Sequence, residues 1–180
     1  MSDYIDNGSF KFGNIDLFTE FGLRLINVIG DSLSPKLRER KVVIPNRSGA
    51  YDYGAKYYDE REVTLECASM VNLSRAEWRE LSYILSKKDR LYIFNEPDKY
   101  YVGRIYDPSM LEPIKFAGMQ FELVFICEPF AYSDVITKQF STVLEPNYKG
   151  TADTPTRIEI VNTGTQPIVG INVMIISRKE

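Results

Sequence analysis

Residues 61–86 read REVTLECASMVNLSRAEWRELSYILS, and the periodicity of this stretch changes half-way along it. Over Arg61–Ser69, Val63, Leu65 and Cys67 alternate with Glu62, Thr64 and Glu66. That is the period of a strand with one face buried. From Ser74 the period becomes helical. Ser74 with Glu77 three residues later forms a capping box, which satisfies backbone N–H groups left free at a helix start. Trp78, Leu81, Ser82 and Leu85 then recur at i, i+3, i+4 and i+7 with Ile84 beside them, while Arg75, Glu77, Arg79 and Glu80 cover the other side. Lys87 and Lys88 suit the negative end of the helix dipole. The stretch predicts a strand followed by an amphipathic helix over 75–87, with Trp78, Leu81 and Leu85 as its core face.

Working outward, a period of two recurs on both sides. Phe10 and Phe12 alternate with Ser9 and Lys11. In GLRLINVI, 22–29, alternation puts Leu23, Leu25 and Asn27 on one face and Arg24, Ile26 and Val28 on the other. Lys41–Ile44 is a β-branched run stopped by Pro45. Further strands are predicted over 90–94, 99–106 and 119–127, the first two joined by the turn residues Asn95-Glu96-Pro97-Asp98. One helix among eight or so strands predicts a mainly β fold, a β-sandwich or open barrel with one flanking α-helix.

A composition shift divides the chain. Its 10 Phe, 12 Tyr and one Trp all lie at or before Tyr148, and the remainder is rich in Thr, Val and Ile. This predicts a domain over 1–146, a linker over 147–155 and the opening strands of a second, incomplete β-domain over 156–180. Within the last segment, RIEIVN, TGTQP and IVGINVMII read as a hairpin.

Composition also excludes functions. The chain has 180 residues, 44% apolar and 26% charged, with a net charge of -3, so a non-specific nucleic-acid binder is not expected. It contains no histidine, which removes Ser-His-Asp and Cys-His catalysis and His-ligated metals. Cys67 and Cys127 lie too far apart for a Cys-x-x-Cys unit and read as two buried free thiols. No catalytic residue, metal or cofactor is expected. No stretch approaches the length of a membrane span, and the N-terminus MSDYIDNGSF lacks the pattern of a signal peptide, so a soluble protein from a reducing compartment is expected.

The segment with functional content is 33–62. SPKLRERK, 34–41, sums to +3, and VVIPNRSGAYDYGAKYYDERE follows. Pro45, Asn46, Arg47, Ser48 and Gly49 lead into Tyr51, Tyr53, Tyr57 and Tyr58. Long loops without a core of their own are uncommon and often functional, and disordered segments are poor in aromatics. Tyrosine pairs apolar area with a polar tip and is enriched at interfaces. These residues therefore predict an arm or extended hairpin laid on a partner, or else a loop folded back on its own domain. Its flanks differ in sign, basic over 36–41 and acidic over 59–62, so a neighbour could match one to the other.

Other constellations are weaker. The carboxylates Asp59, Glu60 and Glu62, and Asp98 with Asp107, show no spacing that demands a glycosidase pair. Arg47-Ser48-Gly49 is no phosphate loop. Lys36–Lys41 and Lys99–Tyr101 are short basic–aromatic segments balanced by nearby acids.

Taken in order, FKFG at 10–13, FGLRLINVIGD at 21–31, VVIPNRSGAYDYG at 42–54, REVTLEC at 61–67, the helix at 74–86, LYIFNEPDKYYVGRI at 91–105 and FELVFICEPF at 121–130 form a set. The set resembles the N-terminal domain of the distal tail proteins of long-tailed bacteriophages, across residues 8–145. In that family a galectin-like β-domain follows, and TPTRIEIVNTGTQPIVGINVMII is similar to its opening. The resemblance implies a virion structural protein at the tail tip, made in the bacterial cytoplasm during assembly. It implies a hexameric ring of identical subunits joining the tail tube protein to the tail-tip hub, with DNA passing only in transit through a central channel. It further implies receptor-binding proteins attached through the second domain, no membrane, and a belt loop on the neighbouring subunit at the position of Pro45–Tyr58. The alternative is a carbohydrate- or surface-binding β-sandwich module using Trp78, Tyr100 and Tyr101; a carboxylate-pair enzyme is the third.

Overall fold

The computed structural model describes residues 8–30, 34–54, 57–107, 120–140, 150–152, 154, 156–167 and 169–170. The chain divides into two compact units, Met1–Gln139 and Phe140–Glu180. In the first unit the described residues form β1 (Phe10–Phe12), β2 (Ile15–Asp16), α1 (Leu17–Phe21), β3 (Leu23–Ile29), β4 (Lys41–Val43), β5 (Ala50–Asp52), β6 (Arg61–Ser69), α2 (Arg75–Ser86), β7 (Asp89–Ile93), β8 (Lys99–Arg104), β9 (Gln120–Cys127) and β10 (Tyr132–Ser133).

Every strand pairing is antiparallel. The main sheet runs β2-β1-β7-β8-β9-β6-β3, with β10 also on β8, while among the described residues β4 and β5 pair only with each other. The main sheet curls until its ends meet: Leu25 N in β3 donates to the carbonyl of Gly8, just before β1, at 2.8 Å. The fold is therefore the open-barrel form of the mainly β expectation. Its interior is one cluster built from Phe10, Phe12, Val63, Leu65, Leu91, Leu123 and Phe125, all almost fully buried. β8 and β9 approach closely because residue 103 is glycine; a Cβ there would lie 2.5 Å from Cys127 Sγ and 2.6 Å from Ile126 O.

The helix α2 covers this core. Ser74 Oγ accepts from Glu77 N, and Glu77 Oε2 accepts from Ser74 N at 2.6 Å, so both halves of the capping box are made. These hydrogen bonds hold the Glu77 carboxyl below its usual pKa. Trp78, Leu81 and Leu85 are buried, and the Trp78 ring meets Phe121 edge-on with centroids 5.7 Å apart. Leu85 O accepts from Ile105 N at 3.0 Å, tying the helix end to the residue after β8.

Two features depart from the sequence expectations in this unit. First, β3 does not alternate throughout. A bulge between Leu25 and Asn27 shifts its register on β6, so Asn27 faces outward opposite Glu66 and Val28 turns toward the core opposite Leu65. The extra residue, Ile26, is exposed. Second, a short helix, α1, precedes β3. Asp16 caps it by accepting from Phe18 N and Thr19 N, and Gly22, at φ 63°, ends it in the left-handed conformation that glycine adopts freely.

In the second unit, the Asn162 side chain closes a local turn: its oxygen accepts from Gly164 N and its amide donates to Gln166 O, each at 2.9 Å. Residues 156–163 form no strand, and 171–176, most of the second arm of the expected hairpin, lie outside the described residues. Two strands alone are marginal in water.

Candidate subunit interface

Among the described residues, 36–54 and 57–59 make the two sides of one antiparallel arm. At its base Asp59 N donates to Lys36 O at 2.9 Å and Arg38 N to Tyr57 O at 2.8 Å, around the bridge Leu37–Tyr58. Further out, Tyr53 N donates to Arg40 O at 3.0 Å. The outer part is the β4–β5 pair, in the register Lys41–Asp52, Val42–Tyr51 and Val43–Ala50. At the tip, Arg47 N donates to Ile44 O at 3.2 Å. Pro45 is second in that turn, and Asn46 third with φ 63°, the combination a type II turn requires. Eight extended residues, 36–43, make an arm roughly 25 Å long.

The arm carries apolar and aromatic side chains into water. Val43 is 77% exposed and Tyr53 is 63% exposed, and Val42, Ile44, Tyr51 and Tyr57 are exposed as well. Tyr51 and Tyr53 pack edge-on with centroids 4.9 Å apart, and the Arg47 guanidinium lies 5.6 Å from the centre of the Tyr51 ring. Pro45, Asn46, Arg47, Ser48 and Gly49 make the turn; Tyr51 and Tyr53 follow it on one strand.

Tyr58 differs from the other three tyrosines. It packs edge-on against Phe130, centroids 4.9 Å apart, and pins the base of the arm to the chain just after β9. Arg38 Nε bonds Asp59 Oδ1 at 2.7 Å. The expectation that the basic and acidic flanks wait for a neighbour is thus corrected at this pair, because hairpin register sets the two charges diagonally across the arm, Arg38 beside Tyr57 and Asp59 beside Lys36. Sequence reasoning also missed that Lys41–Ile44 is the other half of the arm. The signal was present: a β-branched run, a Pro-Asn turn and a Tyr-rich return strand are a hairpin pattern.

The other candidate residues do not converge on a site. Trp78 and Tyr101 are buried, so the set Trp78, Tyr100 and Tyr101 offers no common surface. Tyr101 instead accepts from Arg61 Nη1 at 3.1 Å beneath the barrel wall. Tyr100 lies on the outer side between Tyr92 and Tyr132, with the Arg90 guanidinium 4.6 Å from its ring centre. Lys88 and Tyr132 both donate to Glu128, which lowers the Glu128 pKa and raises that of Tyr132 to about 12. Burial raises both thiols, Cys127 to about 12 even though Arg61 opposes the shift. Among the described residues no three Cys, Asp or Glu gather where they could hold a metal, and no helix is long and apolar enough to cross a membrane.

Comparison with known proteins adds to this geometry. Residues 16–127 match the family model described as phage tail protein RIFT-related domain. The fold is similar to the crystal structure of the Dit protein (gp 19.1) of phage SPP1, described as a paradigm of the hub adsorption apparatus in phages that infect Gram-positive bacteria. The TM-score is 0.53 at 18% identity, over 70% of this chain and 52% of that one. At that identity the likeness is one of fold, and the chain spans about half the length of the Dit structure. No curated protein matches the chain in sequence.

Proposed function

The chain belongs to the phage tail proteins with a RIFT-related domain and is a structural component of the virion tail, and from that premise we propose that it is a ring-forming adaptor at the tail tip. Identical subunits, six as the family resemblance implies, join the end of the tail tube to the hub and leave a channel through which DNA passes. Assembly takes place in the host cytoplasm. The unit after Gln139 opens a second β-domain that carries receptor-binding proteins. Catalysis has no part in this role.

One observation carries the proposal. The 36–59 arm exposes Val42, Val43, Tyr51 and Tyr53, while among the described residues its outer strands pair only with each other. Aromatics and arginine that are idle in water dominate the energy of many interfaces. An arm that every copy holds out and every copy receives makes a heterologous contact, which closes into a ring when its rotation divides the circle.

The test is to shorten the arm above its base. Replacing 40–54 with a short Gly-Ser link leaves Leu37, Arg38, Tyr58 and Asp59 in place. Mass photometry of the unaltered chain is expected to show closed rings at high concentration, and the shortened chain is expected to stay monomeric with unchanged melting. Rings of undiminished size from the shortened chain would overturn the assignment.

A further inference from the structure

The outward side of β3, β6 and β9 is built in rows. Strand register places Ile29 beside Thr64 and Thr64 beside Val124, a β-branched row across three strands. The next row is Asn27, Glu66 and Glu122. Ile29 and Glu122 are exposed, and Thr64, Val124 and Glu66 are half-buried. Glu66 and Glu122 stand directly opposite one another, an arrangement that destabilises a sheet unless a cation lies over it. No ion pair reaches either carboxylate among the described residues.

The outer arm carries the complementary pattern. On one face of the arm Val42 stands two residues from Arg40, while Val43 and Lys41, which is opposite Asp52, lie on the other. Arg40 has no ion pair among the described residues, and Lys41 reaches only Glu39, at 3.9 Å. The apolar row with an acidic row beside it, and the arm face with Val42 and Arg40 two residues apart, are carried by every copy. Among the described residues the strands of the arm pair only with each other.

We propose that the outward face of β3, β6 and β9 is the seat for the arm of a second copy, with Val42 along the Ile29–Thr64–Val124 row and Arg40 against Glu66 and Glu122. This rests on the arm being the contact between subunits and names the surface that receives it. Arm and seat lie on different parts of the chain, so the contact is head-to-tail, and Arg40 relieves the carboxylate repulsion only on assembly.

Two variants separate the halves of the contact. One keeps the arm and carries Glu66→Lys with Glu122→Lys; the other keeps the seat and has the shortened arm. Each alone is expected to be monomeric by light scattering. Mixed, they are expected to form a discrete one-to-one complex, the first supplying the arm and the second the seat. Adding Arg40→Glu to the first variant exchanges the charges and is expected to restore rings. Circular dichroism and melting establish that each variant is folded. If either set of substitutions prevents folding, Glu66→Gln with Glu122→Gln is used instead and is expected to weaken assembly at least tenfold. Rings from the seat variant, no mixed complex, or no rescue would overturn the seat while leaving the arm as the contact. Rings from the shortened-arm chain, or an unaltered chain that stays monomeric at high concentration, would overturn both.

Discussion

Trp78 shows how much one side chain on α2 contributes. It is only 3% exposed, its ring edge meets Phe121, and its indole N–H is buried without an acceptor among the described residues. Trp78→Ala should therefore cost about 3–5 kcal/mol in urea unfolding, as truncation of a buried aromatic does. Trp78→Phe should cost less, under about 1.5 kcal/mol, because it keeps much of the ring and removes a donor that has no partner. The two buried thiols give a pH prediction. Their pKa values are raised in the folded chain, Cys127 from 9.0 to about 12. Above the unfolded value the unfolded state loses the proton first, so the folded state holds more protons and stability falls as pH rises. The loss should begin near pH 9 and continue to about 12, and Cys127→Ser should flatten part of the slope in thermal melts across that range. Below pH 9 both thiols should react with a disulfide reagent only on unfolding.

At the scale of elements, α2 depends on its start and β8–β9 on one absent side chain. Ser74→Ala removes the cap of the Glu77 N–H and should lower stability by about 1 kcal/mol. The depressed Glu77 pKa has a sign: the cap is strongest with the carboxylate ionised, and this contribution is lost as pH falls through the folded-state value. Gly103→Ala should destabilise far more than an ordinary strand substitution. Its Cβ would meet the Ile126 carbonyl at 2.6 Å, and that atom belongs to a paired strand that cannot move alone. The arm is the opposite case. Shortening it removes residues that pack on little beyond each other, so melting of the monomer should change little while association is lost.

For the whole molecule, the units Met1–Gln139 and Phe140–Glu180 predict separable folding. A chain ending at Gln139 keeps β1 through β10, the arm and the proposed seat, so it should melt at the temperature of the full chain and assemble equally well. Calorimetry and mass photometry check the two halves of that statement. A shortened chain that melts much lower would mean that residues after Gln139 contribute to the barrel. Ring closure also sets a concentration dependence: a ring closes only when every contact in it is made, so assembly should be steep in protein concentration, and screening of Arg40 should make it weaker in salt.

Much of this was legible along the chain, because local spacing is a short-range property. Alternation in Arg61–Ser69 and the Ser74–Leu85 stripe determine a strand and an amphipathic helix wherever the chain places them, and the absence of histidine removes whole classes of chemistry. The proline, asparagine and tyrosines of 45–58 marked the arm. The tertiary structure alone decided what depends on a partner strand. Alternation places Asn27 with Leu25, and only the pairing of β3 with β6 accommodates the extra residue that turns Val28 inward instead. Arg38 and Asp59 are 21 positions apart, and hairpin register brings them to 2.7 Å. Glu66 and Glu122 are ordinary surface acids until β6 lies against β9 and sets them face to face. Register is a relation between distant segments, fixed by burying one face of each at once, and no window along a single strand contains it.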